Sequence, residues 1–196
     1  MRFDLSRKIN TKKKQQMKKL LLIAVMVSGL AFNGGAGVED LVIAARATVT
    51  DFNGDGHPDY VLYRASTRQT AIWYLNNNVF VSGGYGPTLP VNWSLVGVSD
   101  FDRDGHRDYL LFNSSNHQTA IWYLSGPKFI RGAYGPTIPS GWALVATADF
   151  NSDGHPDYLL YNPAARQTAI WYLSNNVYVG GAFGPKLPAG WSLVGQ

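Results

Sequence analysis

The sequence predicts an all-β protein built from three copies of one unit, and three observations predict it. An acidic nine-residue loop recurs as DFNGDGHPD, DFDRDGHRD and DFNSDGHPD, starting at Asp51, Asp100 and Asp149, so the period is 49 residues. The segment QTAIWYL recurs unchanged at the same period. The remaining stretches are short β-branched, aromatic and apolar runs bounded by Asn, Ser, Gly and Pro, without a capped helical pattern. A self-similar period of this length indicates a repeat fold.

Each copy contains four predicted strands. In the first copy they are the runs DYVLY, QTAIWYL and NVFVSGGY, followed by WSLVG, which leads into the next acidic loop. Four short strands in about 49 residues are typical of one blade of a β-propeller. We therefore expect three four-stranded blades, forming either a partial propeller or half of an assembled one.

The N-terminal residues 1–36 predict a signal peptide. Eight of the 17 Lys and Arg residues precede residue 20, and an apolar run from Leu20 to Phe32 follows them. That run is shorter than the roughly 20 residues of a membrane span, which leaves an uncleaved anchor as the weaker alternative. The start of the leader is either Met1 or Met17. Residues 37–45 are then a linker, and residues 46–196 form the repeat domain.

The net charge of +4 comes from the predicted signal peptide and not from the repeat domain. Without the eight basic residues and Asp4 of the leader, nine Lys and Arg remain against 12 Asp and Glu. An acidic domain lacks the basic stripe of a nucleic-acid-binding protein. The absence of cysteine excludes disulfides and thiol chemistry. We expect a secreted, periplasmic or cell-surface protein without a stable membrane span after cleavage.

The acidic loops predict metal binding. Each loop has an oxygen-bearing side chain at positions 1, 3, 5 and 9 and Gly at position 6, a pattern that suits a hard cation such as Ca²⁺. Ten of the 13 Asp and Glu residues lie in these loops, where they repel one another unless a cation is present. Up to three Ca²⁺ ions are expected. The predicted ligands are Asp51, Asn53, Asp55, the His57 carbonyl and Asp59; Asp100, Asp102, Asp104, the His106 carbonyl and Asp108; and Asp149, Asn151, Asp153, the His155 carbonyl and Asp157.

The acidic loop sequence has two alternative interpretations besides a calcium loop of this kind. Plain turns also use Asp, Asn and Gly, although they do not need alternating carboxylates. An EF-hand needs a Glu at position 12, where this chain has Leu62, Leu111 and Leu160. The second loop has an additional carboxylate, Asp102, beside Arg103 and Arg107. We expect those arginines to point away from the ligand oxygens, so that this loop binds at least as tightly as the others.

The loop pattern D-x-[DN]-x-D-G-x-x-D, together with the IW, GP and GW-x-LVG elements, resembles the FG-GAP/VCBS repeats over about residues 46–196. That family builds Ca²⁺-binding β-propellers in integrin α-subunit heads, lectins and exported bacterial proteins. The resemblance implies an exported, non-catalytic module that binds a glycan or an extracellular protein in adhesion. The alternatives are an accessory or catalytic domain acting on extracellular polysaccharide, or a structural fragment of a longer propeller protein.

Aromatic side chains are the candidate ligand contacts. Tyr85, Tyr134 and Phe183 lie in Gly-Pro segments that are expected to be exposed. Trp73, Trp122 and Trp171 either pack between blades or form a platform for sugar stacking. The sequence lacks the G-x-S-x-G and H-E-x-x-H motifs, and its carboxylates belong almost entirely to the loops, so an enzyme is not expected.

Closure of the propeller leaves three alternatives. Propellers have four to eight blades, because fewer leave a blade face uncovered. Two chains can meet head to tail as a homodimer with six blades, with Trp191–Gly195 of each docking against the first blade of the other. The chain can instead be a fragment of a longer protein, or an open monomer.

Overall fold

A computed structural model describes residues 50–191 and 193 of the chain. All of these residues belong to the compact unit Val38–Gln196. The predicted leader, the linker and residues 46–49 lie outside the described residues. The predicted C-terminal strand does too, apart from Trp191 and Leu193.

The described residues form three antiparallel sheets and contain no helix. The first sheet consists of β1 (Tyr60–Arg64), β2 (Gln69–Asn76) and β3 (Val79–Thr88). The second consists of β4 (Trp93–Ser99), β5 (Asp108–Asn113), β6 (Gln118–Ser125) and β7 (Lys128–Thr137). The third consists of β8 (Ala143–Ala148), β9 (Asp157–Asn162), β10 (Gln167–Ser174) and β11 (Val177–Lys186).

Each sheet is a meander in which strands adjacent in sequence pair with each other. The strand that ends a sequence copy becomes the first strand of the next sheet, because the chain crosses over at residues 90–92 and β4 then pairs with β5. In the first sheet, Thr50 forms an isolated bridge with Asp59, just as Ser99 pairs with Asp108 in the second. Thr50 thus has the pairing position that Ser99 and Ala148, the last residues of β4 and β8, have in the other two sheets.

The hydrophobic cores lie between the sheets. One core joins the first sheet to the second, and the other joins the second to the third. Strand β5 contributes to both, because Tyr109 and Leu111 face the first sheet whereas Leu110 and Phe112 face the third. Alternation with a period of two is what a strand buried on both faces requires. The prediction of an all-β, propeller-type repeat is confirmed.

Candidate metal-binding loops and aromatic surface

The acidic loops are named loop 1 (residues 51–59), loop 2 (residues 100–108) and loop 3 (residues 149–157). Each loop folds around the carboxylate of its first Asp. In loop 1, the amide of Gly54 donates to Asp51 Oδ1 at 2.7 Å, and the amide of Gly56 donates to Asp51 Oδ2 at 2.8 Å. Gly56 has φ of +84°, a left-handed conformation that favours glycine at position 6. The backbone thus supplies partners for the first carboxylate from within the loop itself.

The ninth Asp of each loop is a buried connector. Asp59 Oδ2 accepts from the amide of Phe52 at 2.8 Å, and Oδ1 accepts from the amide of Leu75 at 2.9 Å, so the carboxylate joins the loop to the end of β2. Asp108 and Asp157 make the same two bonds in their own sheets, at 2.9–3.1 Å. Each oxygen keeps a second lone pair, which is the one available to a cation.

Loop 2 brings three carboxylates together. One oxygen each from Asp100, Asp102 and Asp108 lies within 4.8 Å of the others. Oxygens at that separation can reach a single Ca²⁺, whose bonds to oxygen are about 2.4 Å long. Burial raises the pKa of Asp108 to about 7, although the amides of Phe101 and Leu124 oppose the shift. A cation among these groups would offset the cost of keeping that buried carboxylate charged.

Besides the three gathered carboxylates, loop 2 has an unpaired carboxylate oxygen that also fits a cation. Asp102 Oδ1 is buried and has no hydrogen-bond partner. A buried carboxylate oxygen without a partner is uncommon in a folded protein and indicates that an ion or water belongs there. The residues present in loop 2 therefore fit a bound Ca²⁺.

Loops 1 and 3 differ from loop 2 at position 3. Asn53 Nδ2 donates to Asp55 Oδ2 at 2.9 Å, and Asn151 makes the same bond to Asp153. Each bond uses one lone pair of a position-5 carboxylate, and the assignment of Asp55 and Asp153 as ligands stays a prediction. The amides of the position-7 histidines donate to Oδ1 of the position-5 aspartates at 2.8 Å in all three loops. The assignment of the His57, His106 and His155 carbonyls as ligands stays a prediction.

Arg131 is the site residue that sequence reasoning missed. Its Nη2 lies 2.8 Å from Asp102 Oδ2, and its guanidinium lies 3.6 Å from the ring centroid of Tyr123. The other copies have Ser82 and Gly180 at this position. The second copy, which has the additional carboxylate Asp102, thus also has an additional positive charge at Arg131. Comparing the three copies position by position shows that both residue types occur only in the second copy, but it does not show that they are in contact.

Arg103 and Arg107 are the two arginines within loop 2, and both point away from its ligand oxygens, as predicted. Arg107 Nε donates to the carbonyl oxygen of Asp51 in loop 1 at 3.3 Å. A guanidinium nitrogen of Arg103 lies 3.4 Å from where a Cβ on Gly154 of loop 3 would be. The three loops therefore lie side by side, and loop 2 contacts both neighbours.

The predicted ligand aromatics separate into two groups. Tyr85, Tyr134 and Phe183 are 61%, 72% and 78% exposed. Tyr134 stacks on Trp93 and Phe183 stacks on Trp142, each with ring centroids 6.2 Å apart. By contrast, Trp73, Trp122 and Trp171 are half-buried and pack edge to face against Phe80, Phe129 and Tyr178 at 5.0–5.1 Å. The exposed stacked pairs are the surfaces most open to a ligand.

The fold and the loops define a propeller-type repeat protein with an acidic loop in each repeat. Residues 51–111 and 100–160 match the family model of the FG-GAP-like repeat. The chain belongs to this family. Its repeats are in general non-catalytic structural modules, are often calcium-binding, and are typical of extracellular proteins.

The chain is also similar to a solved structure. A chain of the Photorhabdus luminescens Tc holotoxin pore matches with a TM-score of 0.50 and 17% identity, covering 79% of this chain and 7% of the toxin chain. This likeness supports the fold alone, and the chain spans only a small part of the toxin chain's length. No curated protein matches the sequence. Among the described residues, no helix is long and apolar enough to cross a membrane.

Proposed function

We propose that the chain is an exported, non-catalytic Ca²⁺-binding module that binds glycans through its exposed aromatic pairs. The observation that supports it most is the unpaired Asp102 oxygen among the three gathered carboxylates of loop 2. A bound Ca²⁺ would offset most of the negative charge of Asp100, Asp102 and Asp108 and hold the loop rigid. Its role is structural, and no reaction passes through it.

Arg131 makes loop 2 testable separately from the other loops. Its guanidinium occupies one oxygen of Asp102 and places a positive charge beside the cation site. We expect Arg131→Ser, which installs the residue of the first copy, to tighten Ca²⁺ binding by roughly three- to tenfold, because a competing charge-assisted contact is removed. Calorimetric titration of Ca²⁺ measures the change. Lys128→Ser in the same strand is the control, and weaker binding by Arg131→Ser would contradict a cation site at Asp102.

The exposed aromatic pairs suit a sugar ring. Trp93 and Trp142 are partly buried against the cores, so they fix the positions of Tyr134 and Phe183 above them. A stacking side chain whose position is already fixed loses little conformational entropy when a ligand binds. Aromatic faces stack on the apolar C–H faces of sugars without needing a charged partner. Two similar pairs in successive sheets also allow two sugars of one glycan to bind together, which multiplies a weak affinity.

A glycan array tests this part of the proposal. We expect binding to one class of glycan in Ca²⁺, and we expect the double variant Tyr134→Ala with Phe183→Ala to lose at least tenfold in apparent affinity, since two stacking faces are removed. Val79→Ala with Val81→Ala is the matched control, because both valines are exposed and lie in β3 of the first sheet, which carries neither stacked pair. Equal binding by the aromatic variant and the wild type would refute the site. Binding only to extracellular proteins would favour the other partner class.

Catalysis on a polysaccharide is the weaker alternative. Glycoside hydrolysis needs two carboxyl groups facing the scissile bond. In the described residues every Asp lies in a loop, and there is no Glu. The ninth aspartates are buried and bonded to two amides each, which leaves them poorly placed to contact a substrate.

A further inference from the structure

The same interface occurs twice within the chain. The ring of Tyr109 in the second sheet packs against the first sheet, and its hydroxyl lies 3.2 Å from where a Cβ on Gly86 would be. Tyr158 in the third sheet approaches Gly135 of the second at 3.1 Å. At Gly86, a Cβ would also clash with Thr70 Oγ1, so glycine is required there. A tyrosine from the following sheet thus enters a site between a Gly-Pro segment and a threonine.

Each sheet consequently has two different faces. The rear face, towards the preceding sheet, presents the tyrosine and a leucine two residues later, Leu111 or Leu160. The front face presents a loop phenylalanine, Phe52 or Phe101, and an aliphatic residue after the Gly-Pro segment. At the first interface, Phe52 packs edge to face on Tyr109 with ring centroids 6.4 Å apart. A rear face therefore fits a front face.

No described residue covers the rear face of the first sheet. Tyr60 stands where Tyr109 and Tyr158 stand in the other copies, yet it is 43% exposed whereas they are 0% exposed. Leu62 and Ala71 are half-buried, although their equivalents in the other two sheets are buried. Since the residue types are the same, the exposure reflects the lack of a preceding sheet among residues 50–191.

In the part of the chain that the structure describes, the front face of the third sheet is uncovered as well. Phe150 is 41% exposed, whereas Phe52 and Phe101 are buried. Leu187 is half-buried, whereas Leu89 and Ile138 are 1% exposed. Gly184 lies beside Thr168, as Gly86 lies beside Thr70, but no tyrosine hydroxyl is among its nearest neighbours. The site that receives a tyrosine is therefore complete and open.

We propose that a second copy of this chain covers both faces. Tyr60 of one copy enters the site beside Gly184 and Thr168 of the other copy. The second contact is equivalent to the first, with the roles of the two copies exchanged. The occupant is another copy because each end of the molecule presents the surface that the opposite end lacks. The three described sheets of each copy give six, within the range in which propellers close. A head-to-tail contact that closes after two copies forms a dimer and not a filament.

Light scattering on the full chain tests the proposal. We expect the wild type to have the mass of a dimer, and Tyr60→Arg and Leu187→Arg each to have the mass of a monomer. Tyr85→Arg is the matched control and should remain dimeric, because the equivalent residues Tyr134 and Phe183 stay 72% and 78% exposed although the rear faces of their sheets are covered. An equimolar mixture of the Tyr60→Arg and Leu187→Arg proteins should recover a dimer, since one contact then joins two unaltered faces.

Cross-linking tests whether residues 60 and 187 of two copies lie close together, and it does so without introducing a charge. The native chain has no cysteine, so a short bis-maleimide should join copies of the double variant Tyr60→Cys with Leu187→Cys, and neither single variant. A folded wild-type monomer at tens of micromolar would overturn the proposal. So would a dimer that persists in Tyr60→Arg or a cross-link formed by a single variant. A monomer would indicate instead that residues 1–49 or further repeats of a longer chain cover these faces.

Discussion

Asp59→Ala is expected to lower the free energy of unfolding by on the order of 4 kcal/mol in EDTA, and by at least as much in Ca²⁺. The substitution leaves the amides of Phe52 and Leu75 without an acceptor, and Asp59 is 0% exposed. Each orphaned buried amide costs about 1–3 kcal/mol. The effect comes from the connection between the loop and β2, so removing the metal should not abolish it. Chemical denaturation in each condition measures it.

Two variants in the same loop serve as controls for this result. Asp59→Asn keeps one acceptor oxygen, so we expect roughly half of the loss. Asp55→Ala removes an exposed carboxylate at the predicted ligand position 5, and its cost in EDTA should be below about 1 kcal/mol and larger in Ca²⁺. If Asp59→Ala were destabilising only in Ca²⁺, the ninth Asp would be a metal ligand without a structural role.

Tyr158→Ala should destabilise the protein by about 3–5 kcal/mol, the usual cost of emptying a buried aromatic site. Its ring is fully buried in the core between the second and third sheets. Tyr60→Ala is the matched variant, since the two tyrosines are equivalent in the repeat. At a protein concentration that favours the monomer, Tyr60→Ala should cost less than about 1 kcal/mol. Denaturation curves that shift equally for the two variants would contradict the assignment of the exposed rear face.

Much of the fold was readable from the sequence because the copies are nearly identical. The strands DYLLF and QTAIWYL are apolar enough to be buried on both faces, and the Gly-Pro and Asn-rich segments between them are strong turn signals. The acidic loops were placed correctly between strands, and Arg103 and Arg107 point away from the ligand oxygens as expected. Local residue types determine all of these features.

The features that were missed depend on contacts distant in sequence. The two amides that bond Asp59 lie seven and 16 residues away, so its role as a buried connector is invisible in the loop pattern. Arg131 is 29 residues from Asp102, and only the register of the second sheet brings them together. The different exposures of Tyr60 and Tyr158 follow from which sheets are neighbours. Identical residue types cannot encode that difference.

The crossover of each copy into the next sheet has a consequence for how such a chain changes length. The second and third sheets each contain strands from two consecutive sequence repeats, because β4 and β8 each belong to the preceding repeat. A duplication or deletion of one period joins residues that are equivalent in the repeat, wherever the break falls. Both products then contain only complete sheets. Staggering the strands in this way lets a gene gain or lose whole blades by unequal recombination, without the event having to respect any domain boundary.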